Sequence, residues 1–219
     1  MFGSSSLFSW DAAGKRVAVT WDSSQTNSYF YLPLGTIVAR RDDFSFSFDL
    51  ELSDVQAGIN PAKTSTFELA AGFLNLVDAT RTNFYRGNGH ASPNLVEFDY
   101  FPDAGAISAT VWPSIWSTNS MLNYNGSSDY TVMELPLETV MRVAMSYTAS
   151  NRTLVTTILT NGLPVASPNA VQLSTAFTDF RVGAFAIERI AQVEFFPQPQ
   201  FQQIARIVRE AALGHTFLR

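Results

Sequence analysis

The chain contains no cysteine. That excludes a disulfide framework and every thiolate metal site, and it leaves the redox compartment open. Charge is scarce as well. Only 15% of the residues are charged, and 14 Lys and Arg against 19 Asp and Glu give a formal net charge of −5. The basic residues are scattered, so a nucleic-acid phosphate backbone would meet no positive surface, and nucleic acid is set aside as a partner. No apolar run approaches the roughly 20 residues that cross a bilayer as a helix, so membrane insertion is not expected. Residues 1–6 also lack the charged start and apolar centre of a secretory leader. Histidine is limited to His90 and His215. No G-x-S-x-G elbow is present to pair with either of them as a nucleophile.

What the chain has in quantity is apolar surface for a core. Hydrophobic residues make up 46% of it, with 18 Phe. Phe side chains bury large areas, so aromatic packing between sheets is expected. The clearest pattern lies at 44–52, where Phe44, Phe46, Phe48, Leu50 and Leu52 alternate with Ser45, Ser47, Asp49 and Glu51. A period of two places one set inward and the other in water, which predicts a long strand. Residues 66–76 alternate in the same way through Phe67, Leu69, Ala71 and Phe73. Residues 7–10 and 16–21 flank a turn that ends in Gly14, and read as a hairpin. Residues 141–147 and 154–160 form a second hairpin, followed by Asn161-Gly162, a strong tight-turn signal. Further strands are read at 28–32, 36–39, 94–103, 106–112, 171–173 and 180–187.

About twelve short strands with frequent turn signals, no helical run before residue 198 and no βα alternation predict an all-β fold. Its architecture is an antiparallel two-sheet sandwich of jelly-roll type, one domain over residues 1–197. Residues 198–219 differ in kind: Phe201, Ile204, Ala205, Val208, Ala211 and Ala212 follow helical spacing, with Pro199 at the start and Gly214 at the end. That pattern predicts a short C-terminal helix whose apolar stripe covers part of the sandwich.

The FSFSFDLEL stretch, the NLVEFDYFPD stretch at 94–103, the two-strand run leading to Asn161-Gly162, and TDFRVGAFA at 178–186 together resemble the concanavalin A-like lectin and glucanase superfamily. The resemblance spans about residues 7–195. It implies two stacked curved sheets, with a glycan held on the concave sheet or by loops along its rim, and a secreted or cell-surface protein.

In the lectin branch the VEFD tetrapeptide supplies metal ligands. The resemblance thereby implies a calcium site from Glu97, Asp99, the Phe101 carbonyl and Asp103. Ser108 and Pro113 stand where an acidic residue and a His would complete the manganese half, so manganese is not expected. In the hydrolase branch a second Glu should follow Glu97 and Asp99, because retaining hydrolysis needs two carboxyl groups about 5–5.5 Å apart. That Glu is missing. Glu97 as nucleophile, Asp99 orienting it and Asp103 as a displaced acid is the catalytic set that remains.

Aromatic and polar side chains in the flanking segments suit a sugar, whose C–H-bearing faces are apolar and whose hydroxyls seek hydrogen bonds. Tyr85, Arg86, Asn88 and His90 fall in one polar loop, and Trp112, Trp116 and Tyr124 on or near another segment. Trp116, read at a loop start, is the better stacking platform, and Trp112 is read as mainly core. Three readings stay open. The first is a carbohydrate-binding, lectin-like domain for a polysaccharide or oligosaccharide, with calcium. The second is a glycoside hydrolase, and the third is a structural or adhesive cell-surface domain in which Glu97 and Asp99 only line the wet face of a sheet.

Overall fold

A computed structural model of the chain describes residues 1, 3–21, 28–55, 68–81, 93–103, 108–118, 126–190 and 203–208. The strands are β1 (Phe8–Asp11), β2 (Arg16–Trp21), β3 (Ser28–Ala39), β4 (Phe44–Asp54) and β5 (Glu68–Leu74). After a one-turn helix α1 (Leu76–Ala79) come β6 (Leu95–Phe101), β7 (Thr110–Trp116), β8 (Gly126–Ser128) and β9 (Thr131–Val132). The series ends with β10 (Met141–Thr148), β11 (Thr153–Thr160), β12 (Leu163–Ala166), β13 (Val171–Gln172), β14 (Arg181–Ile190) and β15 (Gln203–Val208).

All strand pairings are antiparallel and form two sheets. The eight-stranded sheet runs β1-β2-β15-β4-β10-β11-β12, with β13 also on β11. The seven-stranded sheet runs β3-β14-β5-β6-β7-β8, with β9 also on β7. Between them lies one large core. Phe46, Phe48, Leu50, Met141, Val143, Met145 and Tyr147 come from the first sheet, and Leu69, Ala71, Phe73, Val96, Phe98, Tyr100, Val111 and Ile115 from the second. Phenylalanine dominates the contact: Phe46 and Phe73 have ring centroids 4.3 Å apart, and Phe48 meets Phe98 edge-on at 5.9 Å. The expected sandwich is therefore the observed one.

Local chemistry accounts for the turns. Asn161 and Gly162 join β11 to β12 with φ of 54° and 76°, the left-handed pair that a two-residue hairpin turn requires and that Asn and Gly adopt most readily. Alternation in β4 is realised as read: Phe46, Phe48, Leu50 and Leu52 are buried, while Ser45, Ser47, Asp49 and Glu51 are less so. The two segments expected at 28–32 and 36–39 are one strand, β3, whose register on β14 breaks opposite Gly183.

Two readings are corrected. The strand expected at 106–112 is β7 at Thr110–Trp116, so Pro113 and Trp116 are strand residues. The C-terminal helix is not formed at 203–208: Gln203–Val208 is a strand, paired with β2 on one side and β4 on the other. A lone amphipathic helix depends on packing for nearly all its stability. Here a strand fills a gap in the middle of a sheet and satisfies the backbone groups of both neighbours. Ile204, Ile207 and Val208 are β-branched and suit that role. Residues 198–202 and 209–219 lie outside the described residues. Among the described residues no helix is long and apolar enough to cross a membrane.

Candidate functional site

Strand β6 sits inside the seven-stranded sheet, between β5 and β7. Val96, Phe98 and Tyr100 point into the core between the sheets. Alternation then sends Leu95, Glu97, Asp99 and Phe101 to the sheet's other face. All seven residues of the strand are nevertheless buried, with Glu97 2% and Asp99 4% exposed. Two carboxylates held this far from water need specific polar surroundings.

Part of those surroundings is on β7. The Ser114 hydroxyl donates to Asp99 Oδ2 at 2.9 Å, and both groups are buried. In the register of the sheet Glu97 stands opposite Ser114 on one side and Gly72 on the other, while Asp99 stands opposite Trp112 and Ala70. Gly72 on β5 is a glycine for a physical reason. A Cβ on Gly72 would lie 2.3 Å from the Val96 carbonyl oxygen and 2.5 Å from the Glu97 Cα, so only glycine lets β5 approach β6 here.

Trp112 is partly buried, and its ring lies 5.9 Å from that of Phe101 at an interplanar angle of 47°. Its indole N–H is buried without a hydrogen-bond partner. Such a donor costs about 1–3 kcal/mol until something accepts from it. Trp116 is the more buried of the two tryptophans, 9% exposed in a small apolar cluster with Leu74, Ala79, Leu95, Ala184 and Ala186. In burial the two tryptophans are thus the reverse of the expectation, Trp116 being the more enclosed. Trp116 lies opposite Leu95 at the apolar end of this face, and Trp112 beside its carboxylates.

Asp103 lies beyond the strand that carries the pair. It is exposed, two residues beyond the end of β6. Its charge acts on the hydroxyl of Tyr100, a side chain of the opposite, core face. Burial chiefly raises the Tyr100 pKa above its ordinary value; a hydrogen bond from the Leu135 N–H opposes this, and the charges of Glu134 and Asp103 add to it. Among the described residues no group of three or more Asp, Glu or His side chains gathers as a metal site demands. The residues present do not fit the calcium site that the VEFD tetrapeptide suggested. Tyr85, Arg86, Asn88, His90 and Tyr124 lie outside the described residues.

Sequence reasoning missed Ser114 and Gly72, whose roles follow from cross-strand register. It also missed a knot of polar residues at the end where β6 begins. There Asn94, buried and with φ of 59°, donates through Nδ2 to Asp78 Oδ2 at 2.6 Å. The one sequence signal for it was an Asn directly before a strand, a residue that tolerates the left-handed region.

This arrangement of two antiparallel sheets is the concanavalin A-like jelly roll, and solved structures share it. The chain is similar to peanut lectin with a 9mer peptide at a TM-score of 0.52 and 13% identity, covering 91% of this chain and 87% of that one. It is similar to the alginate lyase from Klebsiella pneumoniae at 0.56 and 12% identity, over 98% and 86% of the two chains. Lectin II from Ulex europaeus gives 0.52 and 13% identity over 91% and 88%. No family model matches the chain. No curated protein matches it either. At these identities the likeness establishes the fold.

Proposed function

We propose that this protein is a carbohydrate-binding, lectin-like domain that takes a polysaccharide on the outer face of its seven-stranded sheet and on the loops bordering that face. The observation that carries this reading is the Trp112 ring, partly exposed on that face beside the buried Asp99–Ser114 pair. The ring offers an apolar surface to a sugar face. Glycan-binding and glycan-cleaving proteins among the similar structures support the substrate class. In this reading the protein works outside the cell or at its surface, where such polymers are met. Tyr85, Arg86, Asn88, His90 and Tyr124 complete the ligand contacts.

Hydrolysis by Glu97, Asp99 and Asp103 is the second reading, and what favours it is the burial of Glu97 and Asp99 on one face. It stands behind binding because the second Glu of the hydrolase motif is missing from the sequence. The test is a polysaccharide panel scored for both retention and new reducing ends. Retention without turnover is expected, falling about tenfold, or ~1.4 kcal/mol, in Trp112→Ala. Turnover that disappears in Glu97→Gln would replace binding with hydrolysis. Failure to retain any glycan would leave an adhesive or structural domain.

A further inference from the structure

Beyond β7 the seven-stranded sheet continues as one strand in two pieces. Ser128 of β8 stands opposite Ser114, and Thr131 of β9 stands opposite Val111. Two residues separate these positions on each side, Trp112 and Pro113 on β7 and Asp129 and Tyr130 between the pieces. The register therefore runs unbroken across the interruption, and Tyr130 falls opposite Trp112. Pro113 suits the interruption, since it has no N–H to give a neighbouring strand. Toward β6 the pairing continues through Pro113 opposite Phe98.

Alternation settles which way this outer row faces. Thr131 lies opposite the core residue Val111 and its hydroxyl accepts from the Asn169 N–H at 3.2 Å, while Met133 packs against the core. Tyr130 and Val132 take the other direction, and both are exposed, Tyr130 by 62%. Val132 stands opposite Thr110, and Ser128 opposite the Ser114 whose hydroxyl meets Asp99. Ser128, Tyr130 and Val132 thus continue the face that carries Trp112, and Phe101 meets the Trp112 ring from the β6 side. Single exposed apolar residues are ordinary; an exposed Tyr beside a partly exposed Trp, with Val132 next to it, is a contact surface.

We infer that Tyr130 is a further sugar-contacting residue, which extends the Trp112 platform across the sheet to its outermost strand. This rests on the carbohydrate-binding reading above and adds a property of the ligand. Adjacent strands lie about 4.8 Å apart, about one sugar ring, so successive rings of one glycan chain rest on Trp112 and Tyr130 in turn. The ligand is then an oligosaccharide stretch of at least two rings that crosses the strands. The contact is made by the apolar face of the Tyr130 ring, as for Trp112.

The experiment measures retention on immobilised glucan, galactan, mannan, xylan and alginate for wild type, Trp112→Ala, Tyr130→Ala and Tyr130→Phe, with thermal melting of each. On the polymer that wild type binds, Tyr130→Ala is expected to lose about fivefold in retention and Tyr130→Phe, which keeps the ring, less than about twofold. Because Tyr130 is largely in water, both are expected to melt as wild type does. Competition with fragments of that polymer supplies the second readout: wild type should prefer the tetrasaccharide to the monosaccharide, and Tyr130→Ala should lose part of that preference. Undiminished retention in Tyr130→Ala would overturn the inference, and so would an equal loss in Tyr130→Phe, which would move the contact from the ring to the hydroxyl. If Tyr130→Ala melts well below wild type, Tyr130→Gln decides in its place, a loss supporting the contact and full retention overturning it. Loss in Trp112→Ala without loss in Tyr130→Ala leaves the carbohydrate reading standing and removes this extension of it. A wild type that retains no polymer overturns both.

Discussion

Strands β4 and β6 lie near the middle of their respective sheets, and both carry carboxylates at alternate positions, yet they treat those carboxylates in opposite ways. On β4 the polar set faces away from the core on the eight-stranded sheet. Ser45 and Ser47 line a shallow trough there with Ala144, Ser146, Val155 and Thr157, about 250 Å³ in volume. Asp49 beside it is held by Arg142 through two bonds of 2.7 and 3.0 Å, with the arginine side chain 41% exposed. On β6 the equivalent face is dry, and Asp99 is met by the hydroxyl of Ser114. A carboxylate beside water and a cation is ordinary sheet surface. Two carboxylates enclosed on the same type of surface are an arrangement that stability alone does not favour.

That contrast is open to attack by mutation. The largest effect is expected from Gly72→Ala, which drives a methyl group into the β6 backbone and is predicted to lower unfolding free energy by about 3 kcal/mol in denaturant titration. A loss below the range for ordinary surface changes would show that β5 and β6 have slack. Next comes Ser114→Ala, which strips a hydrogen bond from a buried carboxylate at a cost of about 2 kcal/mol. Ser47→Ala on the other sheet is the control and should stay within about 0.5 kcal/mol. Equal effects at the two serines would erase the distinction between the faces.

Thr156 sharpens the comparison from within. It is fully buried on the core side of β11, and its hydroxyl has no hydrogen-bond partner. Thr156→Val is expected to stabilise by about 1 kcal/mol, since the hydroxyl gains nothing where it is. A destabilised Thr156→Val would mean that the core does contain an acceptor for it.

The smallest effect is one of pH. Burial raises the Tyr100 pKa in the folded state. The folded chain therefore holds that proton more tightly than the unfolded chain, whose tyrosines titrate near 10. Stability from this group is complete below about pH 10 and is lost as pH climbs from there through the higher folded value. Tyr100→Phe should flatten the alkaline limb of a melting-temperature profile, and an unchanged slope would assign that limb to other groups.

The alternation in β4 was readable because water lies on one side of it and Phe lies on the other, so side-chain chemistry and burial agree. The same agreement made the hairpins and the Asn161-Gly162 turn legible. It fails in β6, where Glu97 and Asp99 read as a wet or ligand-facing pair and are in fact enclosed. Enclosure is a tertiary property, and no spacing within ten residues encodes it. Trp116 was read as a loop residue for a related reason: β7 runs four residues beyond the strand that the apolar pattern suggested, which carries its ring into the sheet. The tail misled in another way. Its apolar residues satisfy a period near 3.6, but six of its residues had two strand edges waiting for them.

The seat of β15 also sets a schedule for the newborn chain. β2 and β4 are made early, and the strand that separates them is drawn from residues 203–208. On the ribosome, about 150 residues of later sequence must emerge before the gap between them can be filled, and a stretch of contacts so distant in sequence forms slowly. Until then two adjacent strands expose bare edges to any neighbouring chain. Chains interrupted before residue 203 would carry that hazard permanently.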